Sequence, residues 1–170
     1  MRVRTATVED APVLWKAEVE TAQVPGRLVS RPHELQLAAF ESTIRELEEG
    51  GCYVVAEDGD VVCGHAFVAP MSMEAIRHVY RLTVVVHPGH TGKGIGGALL
   101  SHVQGWATSR PEVHKIELMV RSTNAGAIRL YERLGFVEEG RLRDRIRLSS
   151  GEFIDDVSMA WFPRAARIRT

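Results

Sequence analysis

"VVVHPGHTGKGIGGALL", residues 84–100, joins a β-branched run to a dense cluster of glycines through the step Val86-His87-Pro88. Four glycines and Lys93 fall within residues 90–99. Each glycine costs conformational entropy and adds no side-chain contact, so this density implies backbone that must close on something bulky. A glycine-rich turn that opens a helix presents N–H groups to an anion, often a phosphate. The residues on either side decide which phosphate ligand fits.

A Walker-type loop needs Gly, four residues, then Gly-Lys-Ser/Thr. Here Gly92-Lys93 is followed by Gly94, and His87 occupies the position of the first glycine. A dinucleotide fingerprint fits the letters better, since Gly92-Lys93-Gly94-Ile95-Gly96-Gly97 reads G-x-G-x-x-G. That motif requires a tight strand-to-helix turn and an acid closing the next strand. Pro88 and its neighbours separate strand from glycines, and Glu117 falls inside the next strand, with Glu112 in the loop before it.

Outward from the loop, hydrophobic spacing assigns the remaining elements. Val3–Thr7 reads as a strand and Glu9–Glu20 as a helix with Leu14 and Trp15 inward. Residues 21–34 hold two prolines and a glycine and read as an irregular connection. Leu37, Phe40, Ile44 and Leu47 predict a helix over His33–Glu49, ended by Gly50-Gly51. "CYVVAE" and "VVCGHAFVA" predict a hairpin about Asp58-Gly59, which would pair Val54 with Cys63. Strands follow at 77–87 and 115–120, with a helix between them carrying Ile95, Leu99, Val103 and Trp106 on one face. Asn124 can cap a helix whose apolar stripe is Ala127, Leu130, Tyr131 and Leu134, and two strands flank Ser149-Ser150-Gly151. The order is β-α-α-β-β-β-α-β-α-β-β, a mixed α/β (α+β) pattern predicting one domain over residues 1–170.

With the elements in place, residues 84–100 resemble the acetyl-CoA loop of the GNAT superfamily of N-acetyltransferases. Val86-His87-Pro88 and Gly94-Ile95-Gly96 stand at that loop's Val-x-Pro and Gly-x-Gly/Ala positions. "NAGAIRLYERLGF", residues 124–136, resembles the family's later N-x-x-A-x-x-L-Y-x-x-x-G-F segment. Two motifs in order, each on the right element, are far more specific than either alone. The resemblance implies a mostly antiparallel sheet of about seven strands with about four flanking helices. It also implies acetyl transfer from acetyl-CoA to a primary amine by direct attack, with no metal. Thr91 departs from the family's usual Arg or Gln, which puts cofactor affinity in question.

Carried over residue by residue, the resemblance gives Thr91, Gly92, Lys93, Gly94, Ile95 and Gly96 to the pyrophosphate. Val84 and Val86 would present backbone to the pantetheine arm, with Asn124 and Ala127 as further cofactor contacts. Asn124 has an independent reading as a helix cap, and both valines one as core strand residues. Tyr131 corresponds to the general acid, although its place on the apolar stripe equally suits core packing. For the base, the family's strand Glu corresponds to Tyr80. His78 shares the face of Tyr80, Leu82, Val84 and Val86 by period two, and imidazole is the side-chain type suited to proton exchange near neutral pH; Glu117 is a second candidate. Many amines could also enter neutral, leaving water to finish the transfer.

The chain as a whole looks most like bacterial acyltransferases of free amino acids and similar small amines. Polyamines, aminoglycosides and protein N-termini are other acceptors, and a non-catalytic acyl-CoA sensor is the alternative from another class. Arg27, Arg31, Arg143 and Arg145 could meet a substrate carboxylate; Glu20, Asp155 and Asp156 could meet an ammonium.

Bulk properties agree. The 170 residues are 45% hydrophobic and 25% charged, as in an ordinary globular domain. Twenty-one basic against 22 acidic residues leave a net charge of −1, which argues against a broad nucleic-acid surface. No apolar run approaches the roughly 20 residues a membrane span needs, and the start lacks a secretory pattern. Cys52 and Cys63 have no zinc spacing and read as buried hydrophobes of a reducing cytoplasm. Many relatives pair as dimers, so a homodimer is an expectation of the resemblance alone.

Overall fold

Alternation along Cys52–Asp58 shows how the sheet is covered. Cys52, Val54 and Ala56 join one apolar cluster, whereas Tyr53 and Val55 join a second on the opposite face. Both faces therefore need helices. The structure, a computed structural model, describes residues 1–164.

Its strands are β1 (Arg2–Thr5), β2 (Cys52–Asp58), β3 (Val61–Pro70), β4 (Val79–Val86), β5 (Lys115–Arg121), β6 (Val137–Arg147) and β7 (Phe153–Trp161). The helices are α1 (Ala11–Ala22), α2 (Leu37–Glu46), α3 (Ile95–Thr108) and α4 (Ala125–Arg133). One seven-stranded sheet runs β1-β2-β3-β4-β5-β7-β6, and only β4 and β5 pair in parallel. This is the mixed, mostly antiparallel α/β architecture and element order expected from the sequence. No helix among the described residues is long and apolar enough to cross a membrane.

Two local expectations need correction. The second helix begins at Leu37, because Arg31–Glu34 closes a separate 3-10 turn through its own capping contacts and Leu35–Gln36 is extended. The Leu35 carbonyl instead accepts from Trp15 Nε1 at 3.1 Å, tying that connection to α1. In the hairpin, Asp58 pairs with Val61, so Gly59-Asp60 form the turn. A bulge beside Ala56/Glu57 then shifts the register, pairing Val54 with Ala66 and leaving Cys63 as the extra residue. Both cysteines are free and buried, and Cys63 Sγ donates to the Ala56 carbonyl.

Helix α3 crosses the sheet at Gly64. A Cβ there would stand 2.8 Å from Ile95 Cγ2 and 3.1 Å from the Val85 carbonyl oxygen, closer than packing allows. The missing side chain lets the start of α3 lie directly on β3 and β4, and that fixes the loop before it.

Candidate active site

The loop after β4 is built to leave donors free. Gly89, Gly92 and Gly94 have φ near +80°, and Gly94 caps α3 in the left-handed conformation. His90 N–H donates back to the His87 carbonyl, and Ala98 N–H opens the helical ladder on Gly94. Between them, apart from the turn at Thr91–Gly92, no backbone N–H up to Gly97 has an acceptor among the described residues. These donors, Lys93 and the N-terminus of a 14-residue helix make a cradle for an anion such as a diphosphate. Thr91, Gly92, Lys93 and Gly94 are exposed, whereas the Ile95 side chain is core. Gly96 sits where a Cβ would be 3.0 Å from Leu130 Cδ2, so it brings α3 against α4.

The sheet opens beside this cradle. β4 and β5 pair only at Val79, Tyr80 and Arg81, opposite Lys115, Ile116 and Glu117. On the other edge of β4, Met71 N–H donates to Val79 O and His87 N–H donates to Cys63 O. Odd-numbered residues of β4 therefore bond to β3, and Leu82, Val84 and Val86 turn their backbone groups toward β5. Beyond Arg81 β5 no longer answers them. They form an open edge that an extended, amide-bearing ligand can join as a strand.

A cleft of about 530 Å³ passes through this opening. On the α4 side it meets Asn124 and Tyr131; on the opposite side it meets Glu18, Tyr53, Phe67 and Phe40. Burial pushes the Tyr131 hydroxyl up to about 12, with the Arg121 charge pulling the other way, so the phenol keeps its proton across the neutral range. Asn124 Oδ1 accepts from Ala127 N–H at 3.3 Å, so the capping role holds while the residue also lines the cleft. Arg121 and Asp156 form a buried ion pair in the wall.

Residues 16–136 match the acetyltransferase (GNAT) family. The chain belongs to the GNAT family. Among its relatives is the L-methionine sulfoximine/L-methionine sulfone acetyltransferase of Salmonella typhimurium, 34% identical over 103 residues. The L-amino acid N-acyltransferase MnaT of Escherichia coli is 32% identical over 103 residues. Each match covers 60% of this chain and 59% of the relative's length. The ribosomal-protein-alanine N-acetyltransferase structure from Brucella melitensis superposes with a TM-score of 0.86 at 27% identity, covering 95% of this chain and 99% of that one. YncA of Salmonella typhimurium, solved with acetyl-CoA, has a TM-score of 0.89 at 23% identity over 97% and 95% of the two chains, a likeness of fold.

Within this GNAT chain the residues singled out from the sequence separate into groups. Val84, Asn124 and Tyr131 line the cleft; Val86 and residues 91–96 follow it along β4 into the cradle. Ala127 packs half-buried on the core, its N–H already bonded to Asn124. His78 is not brought to the cleft: it precedes β4, is exposed, and stacks edge-on with His114, 5.8 Å between ring centroids. Glu117 also lies outside, held at 3.5 Å by both Arg81 and Lys115. Of the acceptor candidates, Arg27, Arg145 and Asp156 line the cleft; Arg31, Arg143, Glu20 and Asp155 do not.

Two cleft residues, Glu18 and Tyr53, and the histidine behind Glu18 escaped the sequence reading. Glu18 follows Leu14 by four residues on the inward stripe of α1, and a carboxylate at such a position was the available signal. His65 shares the face of Phe67 on β3, opposite to that of Cys63, and is completely buried. Tyr53 carries the one buried side-chain polar atom among the described residues with no partner, its hydroxyl, and burial pushes its acidity far down, helped by Glu18 and Asp10.

Proposed function

We propose that this chain is an acetyl-CoA-dependent N-acetyltransferase acting on the primary amine of a small molecule, an amino acid or a close relative. The observation that carries the reading is the cleft itself. The donor-rich cradle follows Val86, the open edge of β4 lies before it, and from Leu82 and Val84 on that edge the cleft passes through the sheet to a polar pocket under α1 and α2. A ligand with a diphosphate head and an amide-bearing arm fits the first two parts, and its reactive end would reach the third. The amino-acid acceptors named for two relatives support the acceptor class.

When bound, acetyl-CoA supplies the thioester that carries the acetyl group. In this reading the N–H groups of Thr91–Gly97 and Lys93 hold the diphosphate, and the Val84 and Val86 backbone aligns the arm. A β4 N–H polarises the carbonyl oxygen. Tyr131 Oη holds a proton in the neutral range and gives it to the departing sulfur. Arg27 and Arg145 suit an acceptor carboxylate, since neither has an ion-pair partner among the described residues.

Residues 1–170 act as one domain in this account. Two free thiols support a reducing cytoplasm as its place. Exposed Val137, Leu142 and Phe153 on the β6–β7 edge support a pairing of two copies, which sedimentation would test. Incubating the protein with acetyl-CoA and a panel of amino acids, polyamines and aminoglycosides tests the activity through thiol release. Turnover on amino acids is expected; tight acetyl-CoA binding without turnover on any amine would make the chain a sensor.

A further inference from the structure

Glu18 on α1, His65 on β3 and His87 just past β4 form one buried chain. Glu18 Oε1 lies 2.9 Å from His65 Nε2, and His65 Nδ1 lies 3.0 Å from His87 Nε2. His87 Nδ1 lies 3.1 Å from the Val62 carbonyl oxygen. Burying three polar side chains is costly, and each is kept only because it is hydrogen-bonded.

The hydrogens can be counted from the far end. A carbonyl only accepts, so His87 carries its hydrogen on Nδ1. Burial above all pushes His87 down to about 4, so its ring is neutral and Nε2 accepts. His65 Nδ1 must then donate. One proton remains for the contact between His65 Nε2 and Glu18 Oε1, and either atom can carry it. Without that proton, one of the three contacts sets two acceptors against each other at about 3 Å, a lost bond rather than a weak one.

Glu18 has a second side. It lines the cleft, and its Oε2 accepts from no described residue yet is not sealed in. The other carboxylate of the lining, Asp156, is taken by Arg121 at 2.7 Å. The unpartnered Tyr53 hydroxyl belongs to the same wall.

We propose that Glu18 is the catalytic base, taking the proton of the acceptor amine on Oε2, with His65 and His87 as positioning residues behind it. This rests on the acetyltransferase reading above. The working form is the chain lacking its shared proton, with the His65 hydrogen on Nδ1. An N–H bond of the acceptor breaks and an O–H bond forms at Glu18. Rotation of the carboxyl group brings that O–H to His65 Nε2 and restores the full set of bonds. The proton leaves to water through the cleft before the next turnover.

The test compares the protein as it stands with Glu18→Gln, which keeps the side chain's shape but cannot take a proton. kcat and KM are followed against pH with the best amino-acid acceptor of the amine panel, and acetyl-CoA affinity is followed by calorimetry. His65 and His87 behind Glu18, and Tyr53, Arg27, Arg81 and Tyr131 around the cleft, remain in both proteins. Expected are a fall in kcat of about 10²-fold or more, loss of the acidic limb and unchanged acetyl-CoA affinity. The methyl ester of the same amino acid, a weaker base that enters more often neutral, should lose less than about tenfold in kcat. A raised KM at unchanged kcat, or an intact acidic limb, would overturn the assignment.

If Glu18→Gln does not fold, Glu18→Asp shortens the reach and should lower kcat by about tenfold at unchanged acetyl-CoA affinity; unchanged kcat overturns the proposal. Nitrogen-15 NMR of the unaltered protein should place the His87 hydrogen on Nδ1, and a hydrogen on Nε2 at neutral pH overturns the chain. An unaltered protein that acetylates no amine defeats the acetyltransferase reading and this one with it. Turnover indifferent to Glu18→Gln defeats only the base.

Discussion

Arg121 Nε donates to Asp156 Oδ1 at 2.7 Å across the β5–β7 ladder, and both side chains are almost entirely shut from water. A second guanidinium hydrogen goes to the Met119 carbonyl. Removing one partner would strand a buried charge in the cleft wall. Asp156→Ala should therefore cost about 3–5 kcal/mol in urea denaturation, far more than an exposed pair at about 0–1 kcal/mol. A loss below about 1 kcal/mol would show that water reaches Arg121.

Tyr131→Phe removes the phenol and leaves its packing on Phe136, 5.6 Å between ring centroids. Steady-state kinetics should show kcat reduced about 10²-fold with the melting temperature nearly unchanged. The fall belongs at the low end of general-acid effects, because a phenol near 12 is poorly matched to a thiol of ordinary pKa, about 8.5. Since the acid must stay protonated, no alkaline limb from Tyr131 should appear below about pH 11. Unchanged turnover would remove it from the mechanism.

At Gly94 the φ of +80° requires the left-handed region, and a Cβ there would touch nothing within 4 Å. The cost of Gly94→Ala is thus purely conformational, about 1–2 kcal/mol. Calorimetry should find acetyl-CoA binding weakened, whereas Gly94→Asn should retain more of it. Equal affinity for all three would mean the loop's conformation does not matter to binding.

His87 supplies a pH signature. Its folded value near 4 lies below the ordinary 6.5, chiefly through burial. The unfolded chain therefore binds more protons than the folded one between these values. The contribution is complete above about pH 6.5 and is lost as pH falls toward about 4, a span worth roughly 2–4 kcal/mol. Urea midpoints should drop across that window, and His87→Gln should flatten the drop. A variant with the same slope as the unaltered protein would contradict this.

The fold was readable because its signals are local. Ile116, Leu118 and Val120 alternate as a half-buried strand should, and Leu37, Phe40 and Ile44 keep helical spacing. The cradle was readable too, since Gly92 and Gly94 mark where the chain must turn left-handed. Failures came where contacts distant in sequence decide. His78 shares a strand face with Tyr80 on paper, but β4 begins one residue later and leaves it exposed against His114. Glu18 and His65 are 47 residues apart, and no periodicity reveals that their side chains meet. The hairpin register moved by three residues, two because the turn is Gly59-Asp60 and one because of the bulge at Cys63.

Mass spectrometry with fragmentation of the product formed from acetyl-CoA and the amino-acid panel tests the acetyl transfer itself. One added acetyl group is expected on the α-nitrogen of at least one amino acid, formed together with free thiol. Acetyl-CoA bound and recovered intact, with no acetylated amine in the whole panel, would contradict it.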